Sequence, residues 1–239
     1  MFMSAQPMPS EDDFASVLTS SASSASSISE LALFVFDHDD TLFPSTWLRG
    51  VQGVMSPTSI KSRFPDIEKP VYDLISTAKT LGDIAVVTLA CEHWVESCIE
   101  DYLPGLSCHD LSILSALVFK IHDKTLDFTA RCIYRKEQAM RETVKRFREE
   151  HPQQNISLVS IGDSDIERTA IKRLYDLPNV TIHSIKLISR PSTYQLADQL
   201  AGLKTLLPLM VNQHKPLDIE ISPIDIPQQF ISLLQRFRS

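Results

Sequence analysis

The four cysteines, Cys91, Cys98, Cys108 and Cys132, form no Cys-x-x-Cys pair, and no histidine stands beside them at a zinc-ligand spacing. Reduced, mostly buried thiols follow, and with them a cytoplasmic setting. No cysteine is followed six positions later by arginine, as the loop of a cysteine-dependent phosphatase requires, and no Gly-x-Ser-x-Gly elbow is present. An excess of basic residues is missing too. The formal charge of −7 argues against a nucleic-acid partner, because that affinity rests on accumulated Lys and Arg. No apolar run is long enough to span a bilayer, and the start of the chain lacks the basic and apolar regions of a secretion signal, so no membrane partner is expected. No internal repeat is visible. What is present, 239 residues with 43% hydrophobic and 22% charged, suffices for one sizeable core.

Leu31 to Phe36 is a continuous apolar run, too short for a typical helix and suited to a strand buried on both faces of a parallel sheet. It ends abruptly in Asp37-His38-Asp39-Asp40-Thr41. Side chains alternate along an extended segment, so Asp37 and Asp39 can share one crevice at the carboxyl edge while His38 points elsewhere. Ligands of open α/β sheets bind at that edge, and two carboxylates in a small site require a cation.

Residues 1–29 are rich in Ser and Ala, bury too little to offset ordering entropy, and read as a flexible tail ahead of a single domain over 30–239. Residues 43–55, with Pro44, Trp47 and a Gly50-x-x-Gly53 pair, read as a loop or small flap over the acidic edge. Ile67, Val71, Leu74, Ile75 and Ala78 predict a helix ending at Gly82, with Pro70 tolerated only in its first turn. A strand over 84–87 ends in Thr88, and Val95, Ile99 and Tyr102 mark the next helix. A third strand is expected over 116–121, then a helix over 133–149 with Met140, Val144 and Phe147 inward. A strand over 155–161 ends in Gly162-Asp163, followed by another helix and a strand over 180–188. Ser192 should cap a helix carrying Leu196, Leu200, Leu203 and Leu207. An edge strand over 217–221 and an amphipathic helix over 228–237 complete the domain. This alternation predicts an α/β fold, a doubly wound, Rossmann-like parallel sheet with helices on both faces.

Along the chain stand Asp37-x-Asp39-x-Thr41, then Thr88 after a strand, Lys136 opening a helix, and Gly162-Asp163 with Glu167. That order resembles the four motifs of the haloacid dehalogenase-like superfamily of phosphohydrolases. The text around Thr88 and Gly162-Asp163-Ser-Asp-Ile-Glu167-Arg168 is similar to a small eukaryotic branch without a large cap domain. The resemblance implies a Mg²⁺-dependent phosphatase that hydrolyses phosphomonoesters through an aspartyl-phosphate. Asp37, Asp39 (through its backbone carbonyl) and Asp163 would hold the metal, with Glu167 orienting its shell. Asp37 would be the nucleophile and Asp39 the general acid and base, while Thr88 and Lys136 would bind phosphate. Two positions depart from the pattern: His38 replaces a common apolar residue, and Leu89 follows Thr88 where related sequences often carry Asn. Taken alone, Thr88 could merely cap the next helix, and Lys136 could be one more surface cation beside Arg135, Arg141 and Lys145.

The insertions between motifs are too short for a separate cap, leaving only the flap to shield the site. The expected substrate is therefore a phosphoprotein, or a small phosphate ester with closure supplied by a second subunit in a homodimer. The alternative reading is a non-catalytic phosphate-sensing or scaffold protein that keeps the fold.

Overall fold

The computed structural model describes residues 30–107, 111–152 and 154–238, so the Ser/Ala-rich tail lies outside the described residues. Six strands form one parallel sheet in the order β3-β2-β1-β4-β5-β6. They are β1 (Glu30–Phe36), β2 (Gly82–Thr88), β3 (Ser112–Ser115), β4 (Asn155–Gly162), β5 (Val180–Lys186) and β6 (Leu217–Glu220). The alternation of the central strand decides which layer each side chain joins. Ala32, Phe34 and Phe36 pack under α3 (Pro65–Leu81), α4 (Glu92–Tyr102), α7 (Thr193–Met210) and α8 (Ile226–Arg238). Leu33 and Val35 meet α5 (Phe128–Glu150) and α6 (Asp165–Lys172) on the opposite face. Both faces are thus covered, which is why β1 reads as an unbroken apolar run from Leu31 and why β4 admits only the small, buried Ser157 and Ser160 among its apolar residues. Two short helices, α1 (Ser45–Val51) and α2 (Pro57–Lys61), lie between β1 and α3. The architecture is α/β and Rossmann-like, with no large cap among the described residues. None of the described helices is long and apolar enough to cross a membrane.

Several local expectations shift. The third strand is not 116–121 but Ser112–Ser115, and residues 116–118 form a single 3₁₀ turn. The apolar run there misleads, because Leu117 and Val118 are exposed. The Ser115 side chain instead anchors the edge strand, its hydroxyl donating to Ala90 O at 2.7 Å. Helix α5 begins at Phe128 rather than 133, because the Asp127 carboxylate accepts the Ala130 N–H at 2.7 Å and caps it. Pro70 is the sixth residue of α3, beyond the first turn, and the five buried residues Ile67, Val71, Leu74, Ile75 and Ala78 hold the helix despite the lost backbone bond. The 43–55 stretch contains helix α1 rather than a loop alone.

At the far end Ser192 and Gln195 form a reciprocal capping box on α7, whose Leu196, Leu200, Leu203 and Leu207 are fully buried. Helix α8 packs on α7 where Gly202 leaves room for the Phe230 ring; a Cβ at Gly202 would lie 2.2 Å from that ring.

Candidate active site

The chain leaves β1 still paired with β4, Asp37 N–H donating to Ile161 O at 2.8 Å. It then turns tightly, the amides of Thr41, Leu42 and Phe43 all donating to His38 O at 3.0–3.3 Å. Asp40 takes a left-handed conformation, φ 57°, which Asp tolerates better than most residues. Its carboxylate accepts the Thr46 N–H at 2.8 Å and the Thr46 hydroxyl, fixing α1 to the turn.

Lys136 lies in the third turn of α5, not at its start, and is fully buried. Its Nζ donates to Asp37 Oδ1 at 2.6 Å and Val87 O at 2.7 Å, and stands 3.0 Å from Glu167 Oε1. An ammonium has three protons, and three acceptors surround this one. It is therefore no surface cation. The charges of Asp37 and Glu167 hold it well above the ordinary lysine range, although burial works the other way. Burial lifts the Asp37 carboxyl to about 6, more than Lys136 offsets. Glu167 is also buried, yet Lys136 and a hydrogen bond from the Ser164 hydroxyl hold it below the usual carboxylate range. Ser164 caps α6, and Gly162 lets Glu167 fold back over the end of β4: a Cβ there would sit 2.5 Å from Glu167 Cγ.

Asp163 joins this group, one ligand atom each from Asp37, Asp163 and Glu167 lying within 4.8 Å of one another. Burial and then the charges of Asp37 and Glu167 push its carboxyl up to about 8. Three carboxylates thus face a single ammonium, a donor set that fits a hard divalent cation with oxygen ligands such as Mg²⁺. Another trio, Asp83, Glu150 and His151, sits at the opposite edge of the sheet. Two of its members are exposed, and His151 Nε2 already pairs with Asp83 at 3.2 Å. A cavity of about 670 Å³ also opens at that far edge, lined by Gly82, Asp83, Ile84, Leu111, Phe147 and Glu150, and contains none of Asp37, Lys136, Asp163 and Glu167.

Asp39 stands apart from the lysine-bridged group. Its Oδ1 accepts the Trp94 Nε1–H at 3.0 Å and the Ser45 hydroxyl. Burial alone would raise its pKa, but neighbouring donors hold the carboxyl far below the usual range. His38 is buried and stacked on Phe43, ring centroids 5.5 Å apart, with Nδ1 3.6 Å from Asp39 Oδ1, too long for a hydrogen bond. Thr88 closes β2 beside these groups but is fully buried, and its hydroxyl oxygen accepts the Ala90 N–H at 3.0 Å. The cap of α4 is Cys91, not Thr88.

Of the residues expected at the edge, Asp37, Lys136, Asp163 and Glu167 come together, Asp39 lies beside them in a separate clamp, and Thr88 is covered. Sequence reasoning missed Ser45, Trp94 and Ser164. Ser164 carried a signal, being three residues before Glu167 at a strand-to-helix junction; nothing ties Trp94 to a residue 55 positions earlier. The fold and the site define a Rossmann-like α/β protein with an acidic, lysine-bridged centre at the carboxyl edge of its sheet. Compared with known proteins, the chain matches no family model, no curated protein and no solved structure.

Proposed function

We propose that the protein is a Mg²⁺-dependent phosphomonoester hydrolase that works through an aspartyl-phosphate on Asp37, the activity implied by the likeness of its motifs to the haloacid dehalogenase-like superfamily. The observation that carries this reading is Lys136, a buried ammonium joining Asp37 to Glu167 beside Asp163. Asp37, the Asp39 backbone carbonyl and Asp163 would hold Mg²⁺, supported by Glu167; bound there, it would neutralise a phosphate monoester approaching a carboxylate.

An Asp37 carboxylate oxygen forms a bond to phosphorus while the bond to the leaving oxygen breaks and its electron pair stays on that oxygen. Asp39, ionised before substrate arrives, takes up the proton carried by a phosphate monoester monoanion and passes it to the leaving oxygen, then takes one from the water that attacks phosphorus and frees Asp37. As Asp37 becomes an acyl phosphate its carboxylate loses its charge, and Lys136, still held by Glu167 and Val87 O, can turn the donor it gave Asp37 to the phosphoryl oxygens. Thr88 is covered, so in this reading the phosphoryl group meets the turn that Thr88 ties to Ala90 rather than the hydroxyl itself. With α1 and α2 as the available cover, the substrate is a phosphoprotein or a small phosphate ester, met in the cytoplasm.

Purified protein should hydrolyse p-nitrophenyl phosphate with Mg²⁺ and stop with EDTA. Rapid quench should trap a hydroxylamine-sensitive phosphoenzyme in the native protein and none in Asp37→Asn. Turnover indifferent to chelation would refute the metal assignment; a phosphoenzyme in Asp37→Asn would refute the nucleophile.

A further inference from the structure

The donors around Asp39 are distributed unevenly. Ser45 Oγ and Trp94 Nε1 both donate to Oδ1, and His38 Nδ1 stands 3.6 Å from the same oxygen. Among the described residues no hydrogen bond to Oδ2 is present. The two donors come from different places in the chain. Ser45 is the buried first residue of α1, and Trp94 lies in the first turn of α4 with its ring edge-on to Phe43 at 6.4 Å. The carboxylate is therefore gripped from two helices, by groups that neither titrate near neutral pH nor carry charge.

A protonated carboxyl has one oxygen that accepts hydrogen bonds and one that bears the proton. An oxygen already accepting from two donors is a poor place for that proton. We propose that Ser45 and Trp94 are positioning residues for the acid–base step: by occupying Oδ1 they keep the transferable proton of Asp39 on Oδ2 and aim it at the leaving oxygen. This rests on the phosphohydrolase reading above. In the step, the Oδ2–H bond breaks as the leaving oxygen, holding the electron pair of its broken bond to phosphorus, takes the proton. In the second half Oδ2 receives a proton from water.

The demand for that proton depends on the leaving group. p-Nitrophenolate departs as an anion, whereas an alkoxide needs protonation, and kcat/KM reports only the half-reaction that expels it. The test compares kcat/KM for p-nitrophenyl phosphate and a simple alkyl phosphate in native protein, Trp94→Phe and Ser45→Ala. Both variants should raise the aryl-to-alkyl ratio by ~10-fold or more, a part of the 10²–10⁴-fold that acid–base catalysis commonly contributes. Equal losses on both esters would overturn the positioning role while leaving the hydrolase intact. Native protein inert to both esters would overturn the hydrolase reading, and this inference with it. A readout independent of activity comes from the chain's two tryptophans. In an amide NMR spectrum the indole N–H signal absent from Trp94→Phe should move in Asp39→Ala while that of Trp47 stays. An unmoved Trp94 indole would overturn the contact even if one enzymatic variant failed to fold.

Discussion

Replacing Lys136 by Met tests the centre of the site most directly. Methionine occupies a similar unbranched volume, so the change removes charge and hydrogen bonds without opening a large cavity. What it leaves behind is unfavourable: Asp37 and Glu167, both buried, lose the ammonium at 2.6 and 3.0 Å, and Val87 O loses its donor at 2.7 Å. Breaking a buried ion pair by removing one partner costs about 3–5 kcal/mol, a large part of the 5–15 kcal/mol typical of a folded domain. The cost should depend on pH. Without the ammonium both carboxylates gain protons more readily, and protonation removes the uncompensated charge, so the penalty should shrink as pH falls from about 7.5 to about 5.5. Urea unfolding followed by circular dichroism, with chelator present so that no metal replaces the ammonium, gives the difference at each pH. A loss below about 1 kcal/mol, or one that stays constant with pH, would refute the bridging role and return Lys136 to the status of an ordinary cation.

Gly162→Ala should lower stability by about 1–3 kcal/mol, since its Cβ would overlap Glu167 Cβ and Cγ at 2.5–2.7 Å. It should also weaken any Mg²⁺ dependence of the melting temperature; an unchanged melting curve with and without Mg²⁺ would refute the idea that Gly162 seats Glu167. Phe230→Ala should cost about 3–5 kcal/mol, because the ring is buried against α7. A small change in urea midpoint would show that α8 is a loose appendage. His183 in β5 is buried with no hydrogen-bond partner for either ring nitrogen, and burial lowers its pKa from 6.5 to about 4. The unfolded chain therefore binds a proton that the native state refuses. Stability from this residue is complete above pH 6.5 and lost as pH falls towards 4, a span worth roughly 3 kcal/mol. His183→Leu should flatten the stability profile over that window, and a profile as steep as that of the native protein would place the acid sensitivity elsewhere.

The fold was legible where burial on two faces writes itself as an apolar run. Leu31 to Phe36, and the stretch ending at Ile161 in which only Ser157 and Ser160 interrupt the apolar residues, mark the two central strands because helices cover both their sides. The edge strand β3 escaped for the opposite reason. With one strand neighbour and a serine at each end, it looks less apolar than the exposed Leu117 and Val118 that follow it. Pro70 shows propensity yielding to packing, with Ile67 and Val71 buried on either side of it. In the site, the order of motifs marked the acidic residues and Lys136, but local spacing alone did not separate Lys136 from Arg135, Arg141 and Lys145. Its burial depends on Asp37, 99 positions away, and on Glu167 from another helix, relations that no local pattern records. The grip on Asp39 by Trp94 was hidden in the same way.

The seam between β1 and β4 divides the chain unusually cleanly. Residues 30–115 build the three strands on one side of it and supply Asp37 and Asp39; residues 128–238 build the three on the other and supply Lys136, Asp163 and Glu167. A nick in the linker over 119–127 would therefore yield two pieces, each with half of the charged centre and a bare strand of the central pair. Neither piece alone can join Asp37 to the Lys136 ammonium. Their reunion restores Lys136 to Asp37 and Val87 O in one event, so whatever this centre does would report the complementation of two fragments, with no background from either.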